Sequence, residues 1–308
     1  MKKILINIPL RLKGFTGMIL MSDPGVLYIC GTPIGNLEDI TLRVLRVLKE
    51  VDLIAAEDTR RTSQLLNYYQ IKTRLTSYHE HNEQAKAEQL LSLLKEGKNI
   101  ALVSDAGMPG ISDPGLVIIT KALQEGLEII PVPGPTAAIS ALVVSGMATE
   151  RFVFEGFLPR KGKERKARLK EIEQEFRTVI LYESPYRLRE TLTDLSGFLA
   201  ERKIAVIREI SKIHEEKIYG LAEEIKEQLA ERTMLKGEIV LVIAGKEKGV
   251  PADQAWEEIS LLEHTRSLME QGLSKKEAIK EVASLRNLPK RKVYQELIVL
   301  EVDKEQKV

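Results

Sequence analysis

The sequence predicts an α/β fold made of two α/β domains with a helical tail behind them. Three observations predict it. From Val26 onward, short apolar runs alternate with amphipathic stretches, as in strands buried on both faces and joined by helical crossovers. Past Pro133-Gly134-Pro135 the alternation continues, but two strand-like runs follow each other closely, which requires antiparallel pairing and a mixed sheet. Beyond Gly249-Val-Pro251 the apolar spacing is wholly helical. The expected boundaries are an N-terminal extension at 1–24, a parallel α/β domain at 25–134, a mixed α/β domain at 135–248 and a helix-turn-helix-like domain at 249–308.

The elements follow in order. VLYIC (26–30) reads as the first strand, then a turn, then a helix carrying Leu42, Leu45, Val47 and Leu48. DLIAA (52–56) precedes a helix running to about Tyr69. RLTSYH (74–79) precedes a helix at 82–96 that Gly97 ends. NIALVSD (99–105) and EIIPVPG (128–134) are further strands, with a helix from Leu116 to Gln124 between them. The second half reads as a helix at 136–146, strand RFVFEGF (151–157), a charged helix at 163–176 and strand TVILYES (178–184). A helix, strand KIAVIRE (203–209), strand EKIYG (216–220), a short helix and strand EIVLVIAG (238–245) complete it. Tail helices are expected at 252–271, 274–285 and 289–300, the last two opening at Ser274 and Pro289.

Composition narrows the function. A chain of 308 residues can bury a large core without disulfides or structural metal. Lys+Arg is 46 against Asp+Glu 45, a net charge of +1, so no uniform basic coat is present, although a local basic patch is compatible with it. The single cysteine, Cys30, permits neither an intramolecular disulfide nor a thiolate zinc site and suits a reducing cytoplasm. No run reaches 18 apolar residues, and no membrane contact is expected. Lys2 and Lys3 imitate the start of a signal peptide. The apolar run Ile4 to Leu10 is broken by Asn7 and Pro9, and no small-residue cleavage site follows. Residues 1–20 are expected to be dispensable.

Three loops carry the chemistry. GTPIGN (31–36) lies between a strand and a helix, where open α/β sheets receive nucleotides, yet it matches neither a dinucleotide fingerprint nor a P-loop. SDAGMPGISDPG (104–115) is far richer in Gly, Pro and Asp than a turn requires; glycine admits close backbone approach and proline stiffens it. PVPGPTAA (131–138) combines a hinge with a helix start at Thr136. Each also has a plain structural reading, as turn chemistry or linker. A doubly wound sheet would gather all three on one edge.

The ordered set TPIGN, AEDTR (56–60), HEHNE (79–83), SDAGMPGISDPG, PGPTA, YESPYRL (182–188) and KGEIVLVIAG (236–245) resembles the ribosomal RNA small-subunit methyltransferase I family, itself similar in fold to the tetrapyrrole methylases. The resemblance covers about residues 25–248, with one departure: Met108 stands where relatives usually carry threonine, with Gly110 after the proline. It implies S-adenosylmethionine in a cleft between the two α/β domains. It also implies 2′-O-methylation of a cytidine ribose (cytidine 1402 in standard 16S numbering) in the decoding region of 16S rRNA, acting on the RNA or the small ribosomal subunit as a homodimer in the cytoplasm. The implied cofactor residues are Pro33, Ile34, Gly35, Asp105, Ala106, Gly107, Pro109, Ser112, Asp113, Pro114, Gly115, Pro133, Gly134, Pro135, Thr136, Ala137 and Tyr182. Valine at 134 is expected to fill the pocket. Two other functions stay open: methylation of a corrin or porphyrin precursor, and a non-catalytic ribosome assembly factor that keeps the pocket.

Methyl transfer from a sulfonium needs alignment more than it needs a metal or covalent nucleophile. A ribose hydroxyl gains from a positioned acceptor, and Glu57, Asp58, His79, His81 and Glu183 are the unresolved candidates. The H-E-H triplet has no further ligands near it in sequence, so no metal is expected. For RNA, the segment PRKGKERKARLK (159–170) has seven basic residues and one acidic, an excess of +6. Arg160, Lys161, Lys163, Arg165, Lys166 and Arg168 are read as a phosphate-contacting arm, with Arg60, Arg61 and Arg187 as further contacts. A solvated helix face, and pairing with nearby carboxylates, are the structural alternatives. The tail carries Arg286, Lys290, Arg291 and Lys292 at a helix junction, for RNA docking or as a structural cap.

Overall fold

The structure, a computed structural model, describes residues 23–232, 235–247, 259–270, 272–286 and 288–295. The N-terminal extension therefore lies almost wholly outside the described residues. The chain divides into two compact units, one ending at Gly245 and one starting at Lys246.

The first unit opens with a five-stranded sheet: β1 (Leu27–Cys30), β2 (Leu53–Ala56), β3 (Leu75–Ser77), β4 (Ile100–Val103) and β5 (Ile129–Val132), in the order β3-β2-β4-β1-β5. All its pairings are parallel. Crossovers leading toward β3 carry α1 (Leu42–Glu50) and α2 (Thr59–Tyr68); those leading back carry α3 (Glu83–Lys95) and α4 (Leu116–Gln124). Right-handed crossovers put the two pairs on opposite faces. The cores agree: Leu27, Ile100 and Leu102 pack with α3 and α4, whereas Cys30, Ile54 and Val103 pack with α1 and α2. Full burial of each such aliphatic chain contributes about 1.5–3 kcal/mol. Pro131, which has no N–H to donate, sits in β5 at the sheet's edge.

The second sheet holds β6 (Phe152–Phe157), β7 (Thr178–Glu183), β8 (Ile204–Arg208), β9 (Glu216–Gly220) and β10 (Ile239–Ile243), in the order β6-β7-β10-β8-β9. Only β6 and β7 are parallel; β8 and β9 pair antiparallel, as their closeness in sequence demands. One face is sealed by α6 (Gly162–Gln174), α7 (Leu188–Phe198) and α8 (Ala222–Gln228) through Leu169, Leu192, Leu195 and Ile225. The other is covered by a single helix, α5 (Ala137–Val144), through Ala138, Ala141 and Leu142. Eight residues of helix cannot cover five strands, so Phe154 and Tyr182 remain only partly buried there.

In the second unit, α9 (Leu261–Glu270) and α10 (Lys275–Leu285) pack through Leu261, Leu262, Ile279 and Val282, together with Val293. Ser274 caps α10 in a capping box with Glu277. The first tail helix thus starts later than expected among the described residues, and residues 251–258 fall outside them. Of the expected helix at 289–300, residues 290–295 are helical and 296–300 lie outside the described residues.

Candidate active site

Because the first sheet is wholly parallel, the carboxyl ends of its strands share one edge, and the loops after β1, β4 and β5 meet there. They are laced together. Thr32 and Gly107 donate backbone N–H groups to each other's carbonyls at 2.9 and 3.0 Å, and the Thr32 hydroxyl donates to Ser104 O at 3.0 Å. Gly31 and Gly134 pass so closely that a Cβ on Gly134 would lie 2.7 Å from Gly31 O. The sulfur of Met108 lies over Gly31, so this departure from the usual threonine fills space between loops.

Opposite stands the uncovered part of the second sheet. Between them is a cavity of about 540 Å³, within the usual size of small-molecule sites. One wall is Ile34, Ala106, Gly107, Met108, Ile111, Ser112 and Asp113. The other is Phe154, Phe157, Tyr182, Ser184, Pro185, Gly237 and Glu238, with Thr136 to Ile139 of the connecting segment between them. Tyr182 meets Phe154 and Phe157 edge-on, with ring centroids 5.0 and 5.7 Å away. A β-bulge in β6 and a positive φ of 64° at Gly156 bring that strand against the Ser112 hydroxyl. Ser112 itself sits at φ 59°, a strained conformation held by its surroundings.

Carboxylates gather at this edge. Asp105 accepts from the Asp58 N–H at 3.1 Å and pairs with Arg61 at 3.2 Å; Glu57 accepts from the Asp105 N–H at 3.3 Å. Burial, and secondarily the charge of Asp105, raise the Glu57 pKa. Burial and then the charge of Glu57 push Asp113 up to about 6. A folded-state value above the unfolded one means that ionising Asp113 disfavours the fold. Asp113→Asn is therefore expected to be more stable than the parent at pH 7–8. The difference should shrink as pH falls from 6 toward 4 and vanish below, as chemical denaturation at each pH will measure.

The expected cofactor residues divide. Ile34, Ala106, Gly107, Ser112, Asp113, Thr136, Ala137 and Tyr182 line the cavity. Pro33 and Asp105 instead line a neighbouring cleft of about 300 Å³ with Arg61 and Tyr68. Pro135 lines a third hollow beside Ile210 and Ser211. Gly35 lies against the Lys212 stem and Gly115 against Gly110. Pro109, Pro114, Pro133 and Gly134 belong to the same loops but are not among the residues lining the cavity. Valine at 134 would thus push two backbones apart, not fill the pocket as expected, since its Cβ meets Gly31 first.

Several expected reactive or RNA-contacting groups serve the fold. Glu183 is among the residues lining the cavity, although only 3% exposed; it accepts from the Thr191 hydroxyl at 2.5 Å and pairs with Arg187 at 3.5 Å. Arg187 also donates to Leu158 O at 2.7 Å. Arg165, 4% exposed, is the clearest correction to the basic arm. It donates to Asp194 at 2.7 Å, Thr191 at 2.9 Å and Pro159 O at 3.1 Å, stapling α6 to α7. Arg168 pairs with Glu155 and Glu171 at 3.0 and 3.1 Å. Arg160, Lys161, Lys163 and Lys166 are exposed. Asp58 caps α2, and Arg60 holds its carboxyl well below the usual range while itself staying 88% exposed. His79 and His81 follow β3 outside the cavity, their rings 6.0 Å apart, with Asn82 3.1 Å from His79 Nε2. Among the described residues no group of three His, Cys, Asp or Glu side chains is arranged to hold a metal.

The sequence reading missed Phe154, Phe157, Gly237 and Glu238 as lining. The aromatic spacing of RFVFEGF was the available signal for the two phenylalanines.

Residues 26–226 match the tetrapyrrole (corrin/porphyrin) methylases. The chain belongs to that family. Within it, the chain is 48% identical over 273 residues to ribosomal RNA small subunit methyltransferase I of Halalkalibacterium halodurans, covering 88% of this chain and 94% of the relative. It is 50% identical over 223 residues to the Thermotoga maritima protein of the same name, covering 72% of this chain and 100% of that one. These identities establish common descent with the small-subunit rRNA methyltransferases I. In fold the chain is similar to uroporphyrin-III C-methyltransferase of Thermus thermophilus complexed with S-adenyl homocysteine. That likeness has TM-score 0.53 and 17% identity, and it covers 71% of this chain and 97% of that one. The cavity between the two sheets is the candidate cleft of this methylase.

Proposed function

We propose that this methylase transfers a methyl group from S-adenosylmethionine to the 2′-hydroxyl of a cytidine ribose in the decoding region of small-subunit rRNA. The observation that carries the reading is the cavity at the carboxyl edge of the parallel sheet, faced by aromatic side chains and supplied with carboxylates, in a chain whose relatives bear that rRNA methyltransferase name. Bound S-adenosylmethionine supplies a methyl group already activated by a sulfonium. The residues present suit such a ligand. Phe154, Phe157 and Tyr182 offer an apolar aromatic face, while Asp113 and Glu238 put negative charge into the cavity and favour a cation. The laced loops offer little freedom to lose on binding. Glu57 and Asp113, with raised pKa values, are the acceptors this edge offers for the hydroxyl proton.

The neighbouring cleft at Arg61, Gln64 and Tyr68 provides a cation and a ring for a nucleotide of the substrate. The same reading includes action in the cytoplasm and a homodimer; the exposed Ile139, Val143 and Val144 on α5 supply an apolar face for the latter. No helix among the described residues is long and apolar enough to cross a membrane.

The test is nucleoside mass spectrometry on small subunits from a deletion strain after incubation with the protein and labelled S-adenosylmethionine. Labelled 2′-O-methylcytidine is expected. Label transferred to a corrin or porphyrin precursor, or to nothing, sinks the reading. Replacing Arg160, Lys161, Lys163 and Lys166 by alanine is expected to flatten the salt dependence of RNA binding, by roughly 0.7–0.9 in log–log slope for each phosphate no longer neutralised. An unchanged slope would leave α6 as a solvated face.

A further inference from the structure

The tail of this chain is net negative over 249–308, with 10 basic and 11 acidic residues, yet part of its described surface gathers cations. One groove of about 540 Å³ within the second unit is lined by Lys275, Lys276, Ile279, Lys280, Lys290, Arg291 and Tyr294. Among the described residues of that lining, every ionisable group except the tyrosine is a cation. The nearby carboxylate Glu277 is turned to the helix end, where it accepts from the Ser274 hydroxyl and N–H, the latter at 3.0 Å. The groove floor is Ile279, 8% exposed and packed with Val282 and Val293, so the cations are mounted on a cored scaffold. Tyr294 is 52% exposed at the rim.

We infer that this groove binds the phosphate backbone of RNA and makes the tail a docking module for the rRNA substrate; the inference rests on the rRNA reading above. A concave strip of five cations on two helical segments matches a run of phosphates, and its electrostatic attraction acts without regard to base sequence. An exposed tyrosine beside it gives an unpaired base or a ribose a surface to stack on. A small ring-shaped substrate would need neither.

The experiment uses the full chain with Lys276→Glu, Lys280→Glu and Arg291→Glu together. The probes are protein-free small-subunit rRNA and intact small subunits. Binding is titrated with salt, and S-adenosylmethionine affinity and single-turnover methylation at saturating RNA are read alongside. The log–log salt slope is expected to flatten by roughly 2–3, at about 0.7–0.9 for each cation reversed, and affinity for both probes to fall at least tenfold. Cofactor affinity and the saturated rate should stay within twofold. A second variant, Lys276→Arg with Lys280→Arg, keeps the charge and should bind as the parent does, which separates charge from fold.

An unchanged slope in the charge-reversed variant overturns the inference. So does a loss confined to intact subunits, because the groove would then meet a ribosomal protein. If the parent methylates no rRNA yet binds it through these cations, the groove stands and the rRNA methylation reading falls. If the parent methylates and the reversed variant binds unchanged, the groove falls alone.

Discussion

Asp194→Ala is expected to lower the stability of the first unit by about 3 kcal/mol, because it strands a guanidinium that is almost wholly buried. Arg165 is 4% exposed and Asp194 is 32% exposed at the side chain. The Thr191 hydroxyl and Pro159 carbonyl still accept from Arg165 after the change, but neither carries charge. For a unit of this size the melting temperature should fall by roughly 6–12 °C. Lys163→Ala, on the exposed side of α6, should change stability by less than about 0.5 kcal/mol. Calorimetry on both variants checks the contrast. Equal melting temperatures would return Arg165 to the group of surface cations.

The second large effect concerns the cavity. Ala106 lies on its wall, next to Gly107, in a loop that cannot move aside, because its neighbour is paired with Thr32 in both directions. A phenylalanine at 106 adds a ring to a space of about 540 Å³ that, in the function proposed above, also holds an adenosine and an amino acid chain. S-adenosylmethionine affinity is expected to fall at least 100-fold, about 2.7 kcal/mol. Affinity for RNA should hold, since the exposed cations lie elsewhere. Titration calorimetry of the folded variant measures it. A change of less than threefold would mean that the cofactor sits elsewhere.

What the sequence made legible follows from what each pattern encodes. Apolar runs such as IALV and IVLVI announced strands covered on both faces, and the short gap between KIAVIRE and EKIYG announced their antiparallel pairing. Gly/Pro loops marked one cavity wall, because conformational freedom leaves a compositional trace. The opposite wall left less: Phe154 and Tyr182 look like ordinary core residues, and only the shortness of α5 leaves them partly uncovered. The arm at 159–170 misled at one position because charge counts ignore direction. Arg165 falls on the helix face that carries Leu169 and Ile172, and a neighbouring carboxylate takes it inward. Glu183 lines the cavity, but its partners Thr191 and Arg187 lie on the next helix and turn, invisible to spacing along a strand.

The reciprocal bond between Thr32 and Gly107 makes two ligand loops behave like a short additional rung of the sheet. Loops at binding sites usually belong to the fastest-exchanging part of a protein. In this one their amides should exchange with deuterium at rates set by opening of the sheet itself, slowly and together. The ordering of one wall is then completed during folding, long before any ligand arrives. What remains to adjust at binding is the aromatic side, mounted on the other sheet. Deuterium uptake on adding cofactor should therefore drop mainly in β6 and around Tyr182, and hardly at Thr32 and Gly107.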